Sequence, residues 1–286
     1  MKSRYDFFRE KAVIIKNFIS QSSLLFEYFD TTFFQHVSNQ VDTMEQKGWS
    51  GPINSIFLFF IQDSEKGFVQ TKLLERYLRL IVEHPTTTNA DKSHIKGQLA
   101  SENSHETLFE ISILGNLLKQ LPRDDIELFP RTVGKKDVEA RIMLDGRWVY
   151  IDATVLNDSE GETRELTELL NKGGGIGKGM WVDSYRDVER FLRKIEYKST
   201  QFPSGAPNVI AIALSGTRLL FIHDEWSPKL ANIISNISLI MEFDRKDLKR
   251  ATTENCDSSS PLTEKEIKAL KKLFRGSDYM PLVYGS

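Results

Sequence analysis

The sequence predicts an α/β protein in which a mixed-sheet core follows a helical N-terminal region. Three observations carry this. Apolar residues before position 98 recur at helical spacing. An Asp145-Gly146 pair separates two runs of alternating polarity, a strong hairpin signal. Residues Pro207 to Leu214 form a continuous, β-branched apolar run suited to a buried strand.

The elements follow in order. Phe7, Phe8, Val13, Ile14, Phe18, Leu24, Leu25 and Phe29 predict helix, as do residues 53–61 and 68–83, where Leu73, Leu74, Tyr77, Leu78 and Ile81 share a face. The polar stretch from His84 to Asp91, with Pro85 inside it, reads as a linker between an N-terminal region, 1–98, and an α/β domain, 99–286. Residues 104–121 predict a helix. Residues 125–132, 137–144 and 147–156 predict strands. A second helix is expected at 183–202 and a strand at 207–214. A short helix near 228–236, a strand near 237–243 and a helix near 262–275 complete the chain. Residues 157–181 are Gly-rich and read as a long surface loop. Residues 246–261, with Asp257-Ser258-Ser259-Ser260, read as a mobile loop.

Composition narrows the function. The chain has 286 residues, 40% hydrophobic and 27% charged, ordinary for a globular protein. The net charge of −2 excludes a broadly basic nucleic-acid coat but not a local basic groove. The single cysteine, Cys256, cannot form an internal disulfide or a Cys-rich metal site. Charged residues from Asp6 to Lys11 interrupt any signal-peptide core, and the apolar run Ile56 to Ile61 is far short of the ~20 residues of a membrane helix. A cytoplasmic protein with no membrane partner is expected.

The hairpin is unusually acidic on one side. A two-residue turn pairs Leu144 with Arg147, which sets Asp137 opposite Thr154, Glu139 opposite Asp152 and Arg141 opposite Tyr150. One face then carries Asp137, Glu139, Asp152 and Thr154. The other carries Val138, Ala140, Ile142, Ile151, Ala153 and Val155. Two carboxylates about 5 Å apart repel by ~3 kcal/mol at an effective dielectric of about 20, and a divalent cation would reverse the sign. A solvated polar face, with Arg141 taking some of the charge, is the competing account. Helix 104–121 adds Glu110 inside its Leu114/Leu117/Leu118/Leu121 stripe and Glu106 at the edge. Helix 183–202 places Lys198 at the margin of its Phe191/Leu192/Ile195 stripe, with Gln201 further on; a snorkelling lysine is the plainer reading there.

This order of parts resembles the PD-(D/E)XK phosphodiesterase superfamily, the restriction-endonuclease-like fold with its αβββαβ core. The resemblance spans about residues 100–215 and rests on Phe109-Glu110-Ile111, Asp137 and Asp152-Ala153-Thr154. Thr154 stands where the motif lysine is expected. Lys198-Ser199-Thr200-Gln201 looks like the Lys-x-x-Gln pattern of members whose lysine has moved to the following helix; Lys135 and Lys136 are rivals. The resemblance implies that Glu110, Asp137, Asp152 and the carbonyl of Ala153 hold Mg²⁺ or Mn²⁺. It implies that Lys198 orients water or stabilises developing charge, and that Gln201 contacts or supports the scissile phosphate. The expected activity is metal-dependent phosphodiester hydrolysis in nucleic acid, DNA first. The alternative is a nuclease-fold module without catalysis that binds nucleic acid or a protein. The N-terminal helices would bind substrate or a partner, or hold a homodimer.

Other motifs fail. Gly173 to Gly179 is not a phosphate loop, because Lys172 stands where its first glycine belongs and Gly179 follows Lys178. His105-Glu106 lacks the second histidine of H-E-x-x-H, since position 109 is Phe. There is no G-x-S-x-G. Cys256 lies in a polar stretch with no evident base partner.

Overall fold

The computed structural model describes residues 3–47, 55–101, 104–131, 138–156, 184–214, 235–243, 250–255 and 258–274. These form an α/β fold with a mixed sheet in the order β1-β2-β3-β4-β5-β6. The N-terminal helices are α1 (Arg4–Ile19), α2 (Ser23–Tyr28), α3 (Thr31–Lys47), α4 (Ser55–Ser64), α5 (Val69–Val82) and α6 (Asn89–Ala100). They are followed by α7 (Ser104–Gln120) and the strands β1 (Ile126–Leu128), β2 (Ala140–Leu144) and β3 (Arg147–Leu156). Then come α8 (Ser184–Ser199), β4 (Asn208–Leu214), β5 (Leu239–Phe243), β6 (Arg250–Glu254) and α9 (Glu264–Leu273). Among the described residues, no helix is long and apolar enough to cross a membrane.

The β2–β3 hairpin has the expected register, with Leu144 opposite Arg147 and Arg141 opposite Tyr150. Its turn places Asp145 and Gly146 at φ of 48° and 83°. Positive φ at both central residues is the type I′ geometry that matches strand twist, which is why Asp-Gly works there. β1 joins β2 antiparallel, β4 and β5 continue parallel to β3, and β6 closes the sheet antiparallel to β5.

Alternation along β4 divides the core. Val209, Ala211 and Ala213 pack with α7 and the N-terminal helices, while Ile210 and Ile212 pack with Phe191 and Ile195 of α8. The sheet is thus covered on both faces, as its buried parallel strands require. The larger apolar cluster draws residues from Phe8 in α1 to Phe274 after α9 and includes α5, α7 and the inner face of the sheet. Tyr77 of α5 lies against Gly115 of α7 so closely that a Cβ there would stand 2.2 Å from its ring.

Several expectations are corrected. Residues 84–91 are no free linker: His84 is buried, Thr86 Oγ1 takes the Leu128 N–H at 2.9 Å, and Thr88 caps α6. Part of 246–261 is strand β6, which pairs with β5 through residues such as Thr252 opposite Met241. β2 spans Ala140–Leu144; Val138 and Glu139 lie before it, with the Glu139 carbonyl accepting from Phe129 N–H at 3.0 Å, and Asp137 lies outside the described residues. Val138 therefore leaves the Ala140/Ile142 face and packs with Phe191, Ile195 and Ile210 instead. Residues 157–181, and the helix expected near 228–236 up to position 234, lie outside the described residues.

Candidate functional site

The site forms where β2 and β3 part. Their described pairing ends at Ala140 opposite Ile151, while β3 runs on to Leu156 against β4. Beyond Ile151, Thr154 of β3 meets Glu106 in the first turn of α7, and Asp152 meets Lys198 in the last turn of α8. Val155 N–H, 3.5 Å from Glu106 Oε1, is directed at that side chain rather than at a strand.

Two tiers of charge fill this fork. In the lower tier, Lys198 Nζ of α8 donates to Asp152 Oδ1 at 3.1 Å and lies 3.0 Å from Oδ2. Asp152 is fully buried. In the upper tier, Glu106 Oε1 accepts from Thr154 Oγ1 at 2.6 Å and from Lys194 Nζ at 3.0 Å. The tiers follow from spacing. Glu106 and Glu110 are one turn apart on α7, Lys194 and Lys198 one turn apart on α8, and Asp152 and Thr154 on the same side of β3.

Among the described residues, the acids of the lower tier outnumber its cation. Burial pushes the Glu110 carboxyl up to about 8, and the negative charges of Glu106 and Asp152 add to this against Lys198. Burial, then Glu110 and Asp152, hold Glu139 well above its ordinary value. Asp152 is also raised by burial, although Lys198 opposes it. Burial disfavours the Lys198 charge, but Asp152, Glu139 and Glu110 outweigh it and raise its proton affinity. Glu106 behaves oppositely: burial acts to raise it, and Lys194 with the Thr154 hydroxyl brings it below its usual value.

Glu106 and Lys194 line a cleft of about 720 Å³, while Asp152 and Thr154 are fully buried off its wall. Glu110, Glu139, Lys198 and Gln201 lie on it, and so do His94 and Gln98 of α6. Of the residues singled out from the sequence, the structure brings together Glu110, Asp152, Lys198 and Gln201, with Ala153 adjoining in β3. Asp137, Lys135 and Lys136 lie outside the described residues. Arg141 does not relieve the acids; it pairs with Glu127 and stacks over Trp148 at 4.5 Å. Spacing in the sequence sets Glu106 only at a helix edge and Glu139 only on the hairpin face, and it carries no signal that joins Lys194 or the α6 side chains to the site. Another buried acid, Glu242 of β5, is pushed up to about 8 by burial and lies two strands from Thr154 in register.

Among the described residues, no three or more His, Cys, Asp or Glu are grouped as a metal-ligand set. The donors present are nevertheless carboxylate oxygens, the chemistry that hard divalent cations select, and their raised proton affinity marks a place where added positive charge is favoured. Comparison with known protein families, curated proteins and solved structures gives no match.

Proposed function

We propose that the protein is a metal-dependent nuclease that hydrolyses phosphodiester bonds in nucleic acid, with DNA as the first substrate to test, on a restriction-endonuclease-like core. One observation carries the reading. Asp152, on the strand that outruns its hairpin partner, is gripped by Lys198 of α8 with Glu110 and Glu139 beside it.

Glu110, Asp152 and the Ala153 carbonyl would hold Mg²⁺ or Mn²⁺, together with Asp137, which lies outside the described residues. Such an ion polarises a phosphodiester and acidifies bound water. The chain's own groups act around it. Lys198 keeps a proton through the neutral range and supplies a fixed positive charge at the cleft floor. Gln201, with only 9% of its surface exposed, presents an amide to the same space. Glu106, which accepts from the Thr154 hydroxyl, holds the Lys194 ammonium over the cleft.

The second reading is a nuclease-fold module without catalysis that binds nucleic acid or a protein. Thr154 favours it, because its hydroxyl is committed to Glu106 and brings no positive charge to the strand. The deciding experiment compares plasmid, single-stranded DNA and RNA cleavage with Mg²⁺, Mn²⁺ or chelator, using Asp152→Ala as control. Metal-dependent cleavage lost in that variant supports the nuclease. Absence of cleavage and of metal binding by calorimetry supports the module.

A further inference from the structure

We infer that the cleft admits a single nucleic-acid strand rather than a continuous duplex, with one nucleotide seated between α6 and α8. This rests on the reading of the cleft as a phosphodiester site and specifies which polynucleotide it accepts.

The first argument is access. Asp152 is 0% exposed and off the cleft wall, and its partner Lys198 is the group that lines the cleft, so a phosphate approaches the pair only by descending to Lys198. The volume, about 720 Å³, is that of a site for one compact ligand, within the ~300–1,000 Å³ of small-molecule pockets. A duplex phosphate arrives with its neighbours and the opposite strand attached in a stiff array. A single strand turns at each nucleotide and can lower one phosphate alone.

The second argument is what lines the walls. Tyr197 of α8 faces the cleft and is 52% exposed, an aromatic surface of the kind on which bases stack. Gln98 of α6 contributes an amide that can both donate to and accept from a base edge, and His94 lies one turn before it. Charge supplies the third argument. Among the described residues, Asp91, Glu106, Glu110 and Glu139 share the cleft with Lys194, Lys198 and Arg131, so its described wall is not the extended basic track by which proteins bind duplex phosphates. Stacking has to carry much of the affinity.

The test is fluorescence polarisation of the full chain with a short labelled DNA strand, the RNA of the same sequence and the corresponding DNA duplex. Ca²⁺ replaces Mg²⁺ so that binding is read without turnover. The single DNA strand is expected to bind about tenfold or more tightly than the duplex. Tyr197→Ala is expected to weaken it roughly tenfold, with Tyr197→Phe close to wild type. Gln98→Ala should lose a few-fold. Circular dichroism melts verify that each variant folds. RNA bound as well as DNA indicates a site indifferent to the sugar, and DNA alone one that excludes the 2′-hydroxyl; both agree with single-strand entry. Duplex binding as tight as single-strand binding, or a Tyr197→Ala protein that binds normally, overturns the inference. If Asp152-dependent plasmid cleavage occurs without single-strand binding, the nuclease reading stands and only this inference falls. If no polynucleotide is bound or cut, both fall.

Discussion

Lys198 Nζ is 3.1 Å from Asp152 Oδ1 and 3.0 Å from Oδ2, a buried pair bridging a helix and a strand 46 residues apart. Among the described residues it is the cation of the lower tier, and Asp152, Glu139 and Glu110 all act on it.

Removing that cation should therefore cost more than an ordinary ion pair. Breaking a buried pair from one side costs ~3–5 kcal/mol. Lys198→Met is expected to lower the melting temperature sharply at pH 8. At pH 5 the loss should be smaller, because Asp152, Glu110 and Glu139 can take up protons in its place. Melts across that range check this; an equal loss at both values would show that the lysine acts through packing alone.

Glu110 gives the metal-free protein an inverted pH response. Its folded proton affinity lies at about 8, above the ordinary carboxylate value of 4.5. The folded state then binds more protons than the unfolded state between those limits, so stability should decline as pH rises through the window. Glu110→Gln should flatten that decline. If a divalent cation binds, it should displace protons near pH 7. Calorimetry in two buffers of different ionisation enthalpy would measure the release, and the absence of release would argue against Glu110 as a ligand.

Glu266 predicts the reverse at acid pH. Burial acts to raise its carboxyl, but Arg147, at 2.5 Å and 2.6 Å, with the Thr263 backbone and hydroxyl, brings it down to about 2. Its stabilisation is complete above about 4.5 and vanishes as pH falls through 2. Because Arg147 is 38% exposed, the effect is discounted to about 1–3 kcal/mol at pH 7. Glu266→Gln should be destabilised by that amount in denaturant titrations at pH 7, with the gap closing near pH 2.

Gly115→Ala should be among the most damaging small substitutions. The new methyl would overlap the Tyr77 ring, and overpacking costs ~1–3 kcal/mol where neighbours cannot yield. Tyr77→Leu in the same chain should recover part of the loss. An unchanged midpoint for Gly115→Ala alone would show that α5 and α7 separate freely.

The legible parts of the fold were those with local signals. The Asp145-Gly146 turn fixed the hairpin register, and the apolar run of β4 marked a strand covered on both faces. β6 escaped because Arg250, Thr252, Thr253 and Glu254 form a polar edge strand that periodicity reads as loop. Alternation groups Val138 with Ala140, but alternation holds only within a strand, and β2 begins two residues later. In the site, Glu110 stood out for its place in an apolar stripe. Glu106 and Lys194 did not, since their value comes from facing each other across 88 residues of sequence, which no spacing within one helix encodes.

The apolar cluster shared by the first helices and the sheet has a consequence for synthesis. A ribosome releases α1 to α5 with their inner faces complete, before Ile151, Ala211 and Met241 exist to cover them. For that interval the nascent chain carries bare phenylalanine-rich surface, so its yield in cells should depend on holdase chaperones and on translation speed through the strands.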